Sequence, residues 1–215
     1  SMDKIKPDTN ALQKWESKFN GPYVVSCKLD GVSALYSTEG EKAKLYTRGD
    51  GKVGQDISHL IKILNLPNTK EKLAVRGELL ILKSDFEKVF KGEFANARNL
   101  VAGLVNQKKP DAEKIKYLHF VAYEVINPEM VPSEQMKFVK DNNFEVVKYL
   151  EEKSVSNDLL SKLLVDWRTN YEYEMDGIIV TDDKIYPRKD GNPEHSFAFK
   201  MVLSDQVAEA KVVDV

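Results

Sequence analysis

With 215 residues, 42% of them hydrophobic, the chain has enough apolar side chain for one large domain or two small ones. A formal net charge of −2 with 31% charged residues mixes both signs over the surface, which neither demands nor excludes a polyanionic partner. The single cysteine, Cys27, excludes an intrachain disulfide and suits a reducing compartment; no signal peptide is visible, and no apolar run approaches the roughly 20 residues of a membrane span.

Residues 9–19 read as a helix capped by Thr9 or Asn10, with Leu12, Trp15 and Phe19 as its apolar stripe and Asn20-Gly21-Pro22 as its stop. A strand over residues 23–31 follows. A period of two puts Ser26, Lys28 and Asp30 on one face and Val25, Cys27 and Leu29 on the other, and Gly31 permits a turn. Cys27 reads as a small core residue. A lysine in a half-buried strand is costly unless its head is paired or used. On this stretch alone, an edge lysine snorkelling to solvent beside Asp30 is the plainer reading; a nucleophilic lysine needs support from elsewhere. Residues 32–36 and 44–48 add two strands around Glu39-Gly40-Glu41, an antiparallel meander.

Residues 47–56 hold three glycines and several charges. They form either a loop whose backbone can approach a ligand or an ordinary polar hairpin loop. Asp56 is placed to cap a helix over 57–64, with Ile57, Leu60, Ile61 and Leu64 at helical spacing. Residues 73–82 form an apolar strand on which Arg76 and Glu78 share a face, as a site toward a cleft or as a pair at a sheet edge. Ser84-x-x-Glu87 reads as a capping box opening a helix with Phe86, Val89 and Phe90 inward. Residues 94–107 read as a helix; Arg98 near its start is off-pattern for the dipole and hints at an anionic ligand.

Residues 117–126 form another strand, with His119 a satisfied core or edge histidine; three scattered histidines and one cysteine support no zinc site. Pro132-Ser133 opens a helix over 134–142, residues 144–149 form a short strand, and Ser156 opens a helix over 157–168 striped by Leu159, Leu160, Leu163, Leu164 and Trp167. Asp176 then precedes Gly177 and an apolar strand, and residues 182–195 form a polar loop. In residues 196–202 Phe197 and Phe199 face one way and Lys200 the other; residues 205–215 start a further strand.

Two strand lysines, Arg48 in the glycine-rich loop, Arg98 at a helix start and the carboxylates Asp30, Glu78 and Asp176 share one chemical meaning. Cations bind and polarise phosphates, while carboxylates hold Mg²⁺ or a ribose hydroxyl. A lysine attacks only as the neutral amine, which nearby cations and desolvation favour.

In that order these residues resemble the nucleotidyltransferase domain of covalent ligases and capping enzymes, and most closely that of NAD⁺-dependent DNA ligases. Lys28-Leu29-Asp30-Gly31 is similar to the K-x-D-G nucleophile motif. It is followed by Thr47-Arg48-Gly49-Asp50-Gly51 with Gly54-Gln55-Asp56, and then by Val75-Arg76-Gly77-Glu78. Phe94-Ala95-Asn96-Ala97-Arg98-Asn99, Asp176-Gly177-Ile178-Ile179-Val180 and Ala198-Phe199-Lys200 complete the order.

The resemblance implies an α+β fold of antiparallel sheets flanked by helices, with the nucleotide in the cleft between sheets. It implies an adenylation domain over residues 1–204, with 205–215 the start of a truncated OB-fold. NAD⁺ would donate AMP with Mg²⁺ present, and the partner would be nicked double-stranded DNA. A monomer with no membrane contact is implied, in the cytoplasm, the nucleoid or a viral factory.

By the same resemblance Lys28 attacks the α-phosphorus and becomes lysyl-AMP. Asp30 orients it or its metal, Arg48 and Glu78 reach the ribose, and Lys200 stabilises the α-phosphate. Asp30, Glu78 and Asp176 are the metal carboxylates, and Arg98 acts on the nick phosphate. AMP then passes to the DNA 5′-phosphate and the nick is sealed.

Three departures point to a divergent branch with viruses among its sources. Ser26-Cys27 stands where the family has Glu-Pro, Asn106 where it has a second helix arginine, and Thr181 where it has a second phosphate-binding lysine. Family members also carry an N-terminal module that grips the nicotinamide mononucleotide half, and residue 2 reads as the join after it. An ATP-dependent DNA or RNA ligase, or a non-catalytic nucleotide-binding relic, is the alternative; retention of Lys28, Glu78, Asp176 and Lys200 argues against the relic.

Overall fold

The chain changes sheets at Gly31. The computed structural model describes residues 2–6, 10–48, 54–188 and 191–200; Thr9, the glycine-rich stretch 49–53 and the strand expected from residue 205 lie outside them. The strands are β1 (Asp3–Ile5), β2 (Tyr23–Leu29), β3 (Val32–Ser37), β4 (Lys44–Thr47), β5 (Gln55–Asp56), β6 (Ala74–Ile81), β7 (Leu118–Asn127), β8 (Glu145–Val146), β9 (Tyr149–Glu152), β10 (Met175–Asp182) and β11 (Ser196–Phe199). The helices are α1 (Ala11–Lys18), α2 (Lys83–Val89), α3 (Ala97–Val105), α4 (Ala112–Ile115), α5 (Pro132–Asp141) and α6 (Asn157–Asn170).

One sheet runs β1-β11-β10-β2-β9 and the other β5-β4-β3-β6-β7-β8. Pairing is antiparallel except for β1 with β11 and β7 with β8. The α+β class is therefore the one the motifs imply.

Two sequence expectations about connectivity change. Residues 23–48 are not one meander: β2 lies in the first sheet, and only β3 and β4 pair in the second. The expected strand over 144–149 also divides, with β8 in the second sheet and Tyr149 already in β9 of the first. Alternation reports which face a residue takes but not which sheet its strand joins. The parallel edge strand β1 was not anticipated at all.

Local signals also yield to packing. Asp56 accepts the Ser58 N–H at 2.8 Å, but only one 3₁₀ turn, Ser58–Leu60, follows rather than a helix over 57–64. Helix α2 begins at Lys83, so Ser84 lies inside it and makes no cap; Val89 is 43% exposed rather than inward. Asn10 precedes α1 without a side-chain cap bond. The cap expected at Ser156 does form, accepting the N–H of Leu159 at 3.1 Å; Asn96, which the sequence did not single out, also caps α3, accepting the N–H of Asn99 at 2.8 Å.

Two apolar cores result. In the first, Val75, Leu79 and Phe120 of the second sheet bury against Leu100 and Leu104 of α3 and against Ile57 and Leu60. In the second, Val25, Cys27, Ile178 and Val180 of the first sheet bury with Leu160, Leu164 and Trp167 of α6. Leu80 and Val121 belong to this second core although they sit on the second sheet. The opposite face of β6 and β7 therefore turns toward β2 and β10, and the cleft lies between them. The segment after β10 is fastened by the fully buried Asp182, which accepts the Gly21 N–H at 2.9 Å and the Tyr186 hydroxyl. Asp183 accepts the Ser133 N–H of α5 at 2.8 Å. No helix among the described residues is long and apolar enough to cross a membrane.

A Cβ at Gly31 would lie 2.2 Å from the Leu79 carbonyl oxygen and 2.7 Å from Leu80 Cδ2. Backbone blocks the first contact, so the sheets would have to part. Gly31→Ala should destabilise the protein by about 2–3 kcal/mol in urea titrations, the upper range for overpacking. A loss below about 0.5 kcal/mol would show that the crossing is not tight.

Candidate active site

Lys28 stands one residue before the end of β2 and pairs in register with Gly177 of β10. The register slips between Met175 and Gly177, and Asp176 falls in that irregularity. A bulge re-aims a side chain; here the Asp176 carboxylate meets Lys28 Nζ at 3.2 Å and 3.3 Å. Lys200, just beyond β11, reaches the same carboxylate at 3.4 Å. Gly177 permits this approach, since a Cβ there would lie 2.9 Å from the Phe199 carbonyl oxygen and 3.1 Å from Lys200 Cγ. Two ammonium groups share one carboxylate, which leaves a positive surplus facing the cleft.

Glu78 rises from β6 on the other wall and accepts the Gly31 N–H at 3.1 Å. Burial pushes its carboxyl up to about 7, with Asp176 adding to the rise; the Gly31 N–H, Lys28 and Arg98 oppose it. Near neutral pH it is poised between a donor and an acceptor of hydrogen bonds. Ser33 pairs with Glu78 across β3, and its carbonyl accepts the Arg48 N–H at 3.2 Å. Arg48 is thus held one strand from Glu78, exposed at the end of β4.

Tyr123 is a site residue that the sequence reading missed. A second register shift, between Arg76 and Gly77, leaves Tyr123 without a cross-strand partner on β7. Its hydroxyl lies 3.2 Å from Ser33 Oγ, and burial holds it far above the ordinary phenol value, so it stays protonated. Alternation with Val121 on an apolar strand was the available signal, because it puts Tyr123 on the face that Glu78 shares.

Asp30 lies 3.9 Å from Arg98. Beside them opens a groove of roughly 460 Å³ lined by Lys83, Asn96 and Glu174 as well. The three carboxylates expected to hold metal are therefore spread out: Asp30 faces Arg98, Asp176 the two lysines, and Glu78 the Gly31 N–H. Among the described residues no group of three or more His, Cys, Asp or Glu gathers to hold an ion. These carboxylates fit Mg²⁺ singly, with phosphate and water as the remaining ligands, which is how that ion is usually held.

Thr181 corrects an expectation. It pairs with Val24, four residues along β2 from Lys28, so it lies about 13 Å from the lysine at about 3.3 Å per residue. Its hydroxyl is 2.9 Å from Ser196 Oγ. A lysine at that position would serve the far end of the cleft and not the phosphate beside Lys200. Asn106 closes α3 at the end opposite Arg98. Cys27 is a core residue as expected, its thiol pushed up to about 12 by burial. His119 sits 3.4 Å from Glu145, outside the site.

A family model described as the NAD-dependent DNA ligase adenylation domain matches residues 3–199. A DNA ligase of Acanthamoeba polyphaga mimivirus is 43% identical over 208 residues, covering 93% of this chain and 32% of that protein. A putative DNA ligase of Invertebrate iridescent virus 6 is 38% identical, covering 99% and 36%. A DNA ligase of the bacterium Treponema denticola is 30% identical, covering 96% and 36%. The chain thus spans about a third of the length of these curated relatives. Among solved structures, a Lig E DNA ligase shares the fold with a TM-score of 0.60 and 17% identity, over 94% of this chain and 69% of that one. A putative ATP-dependent DNA ligase from Aquifex aeolicus does so with a TM-score of 0.58 and 12% identity, over 94% and 49%.

Glu78 yields a stability prediction with a definite sign. Its folded value, about 7, lies above the ordinary 4.5, so the folded state holds more protons between those limits. Its contribution to stability is present below about pH 4.5 and lost as the pH rises through about 7. Relative to the parent, Glu78→Gln should gain up to about 3 kcal/mol between pH 4.5 and 8. Paired urea titrations across that range measure the difference, and a flat difference would overturn the assignment.

Proposed function

The chain belongs to the NAD-dependent DNA ligase adenylation domain family, and from that premise we propose that it forms lysyl-AMP on Lys28 for the sealing of nicked double-stranded DNA. The observation that carries this reading is the single carboxylate, Asp176, shared by Lys28 at 3.2 Å and Lys200 at 3.4 Å. That arrangement puts a strand nucleophile beside a second cation at a place where phosphate charge can be met.

Lys28 Nζ attacks the α-phosphorus of the dinucleotide as the neutral amine. The new N–P bond forms as the P–O bond to the nicotinamide mononucleotide half breaks, and that half leaves with the electron pair. Asp176, already accepting hydrogen bonds from the ammonium, is the base within reach of the proton that Lys28 must shed. Lys200 meets the charge that builds on the phosphate oxygens, where a preorganised cation lowers the barrier more than it tightens ground-state binding.

Glu78 and Arg48 serve the ribose, and Tyr123 offers the base a flat apolar ring. Asp30 orients Lys28 or a metal, and Mg²⁺ held at Asp30, Glu78 or Asp176 would neutralise phosphate charge. Arg98, exposed beside the groove, serves the nick phosphate. AMP passes from Lys28 to the DNA 5′-phosphate, and the 3′-hydroxyl then displaces it. In this reading the protein is a monomer, working inside the cell or viral factory where DNA is found. Residues 1–204 carry the adenylation domain in this reading, and 205–215 lead into an OB-fold.

Mass spectrometry of the full-length protein after incubation with NAD⁺ should find an AMP adduct on Lys28, and none with Lys28→Arg, whose guanidinium stays protonated at any usable pH. An adduct of unchanged yield in that variant would end the assignment. Lys200→Ala should slow single-turnover adenylylation by at least about 100-fold at saturating cofactor, the scale of one preorganised contact. A rate within a few-fold of the parent would mean that Lys200 does not face the phosphate.

A further inference from the structure

The end of the cleft away from Lys28 carries a cluster of charges that the adenylylation scheme leaves unused. Arg76 shares the cleft face of β6 with Glu78, and Glu124 pairs with it directly across β7. Arg76 Nη1 lies 3.6 Å from Glu124 Oε1. The other oxygen, Oε2, accepts a hydrogen bond from Arg188 Nη2 at 3.3 Å. Arg188 lies in the segment that joins β10 to β11 of the first sheet. One carboxylate therefore joins two guanidiniums, one on the second sheet and one in the loop between two strands of the first.

We propose that the Arg76–Glu124–Arg188 bridge is a clamp on the nucleotide cleft, positioning the two walls around the adenosine half of the substrate. Three features support this. The bridge sits directly at the register shift that frees Tyr123, so the Arg76–Glu124 pair pins the bulge that presents that ring. The segment bearing Arg188 is fastened to the second-sheet layer at another point, where Asp183 accepts the Ser133 N–H at 2.8 Å, so its approach is fixed at two places. Glu124 follows Tyr123 and Arg76 precedes Glu78 by two residues, so movement of the clamp is felt by groups that would touch base and ribose. These are positioning residues, since they act through Tyr123 and Glu78.

The magnitude is bounded. The side chains of Arg76, Glu124 and Arg188 are 42%, 31% and 56% exposed, and pairs that open to water contribute modestly. A loss of about five-fold in affinity is the expected scale, which is about 1 kcal/mol.

The inference rests on the adenylylation reading, and the test separates the two. In the full-length protein, AMP affinity by calorimetry should fall about five-fold in Glu124→Gln and in Arg188→Ala. The double variant should be no weaker than the weaker single one, because removing either partner breaks the same bridge. Arg188→Lys, which keeps the charge, should recover most of the loss. With NAD⁺, KM should rise by a similar factor in each single variant, while the single-turnover rate at saturation stays within about two-fold. Single variants that bind AMP like the parent, or losses that multiply in the double variant, would overturn the clamp while leaving the adenylylation reading in place. A parent protein that binds no AMP would take both down.

Discussion

The structure depends on a tight crossing. At Gly31 the backbone passes from one sheet to the other so closely that a Cβ there would lie 2.2 Å from the Leu79 carbonyl oxygen. The same glycine donates its N–H to Glu78 at 3.1 Å. Lys28 at the end of β2 and the Glu78 carboxylate on β6 are thereby brought together across two separately packed cores. The crossing also explains why burial dominates the titration of Glu78, because the carboxyl is enclosed where the two sheets meet.

Irregular backbone aims the chemistry. Regular pairing would give Asp176 and Tyr123 each a partner across the ladder. A register shift in each wall frees them instead, the first meeting two lysines and the second meeting Ser33. Bulges next to functional groups are features rather than defects. Each is braced nearby: at Gly177 the absent side chain lets β11 and Lys200 close in, and at Arg76 the pair with Glu124 spans the shift.

Charge is divided unevenly along the cleft. Arg98 and Asp30 form a separate pair beside the groove, while Lys28 and Lys200 share Asp176 at one end. Hydroxyls occupy much of the first sheet's wall beyond them. Ser26 lies two residues from Lys28 on the same face, and Thr181 is bonded to the buried Ser196. The departures from the family at Ser26 and Thr181 therefore fall on this wall beyond the lysine.

The sequence by itself determined the family and most of the elements. Period-two alternation placed Lys28 opposite Cys27 in facing, and six ordered motifs named the family that the comparisons then showed. Helix α6 was legible because the Ser156 bond to Leu159 lies within one turn, and α3 because its run of small and apolar residues suits a helix. Tertiary structure alone decided the rest. That β2 and β3 join different sheets, that residues 144–149 divide between them, and that Thr181 stands about 13 Å from Lys28 are matters of register and layer. So is the bridge from Glu124 to Arg188, whose residues are 64 apart in the chain. Local pattern reports which way a side chain faces; what it faces is set by long-range pairing, and only the packed sheets contain that information.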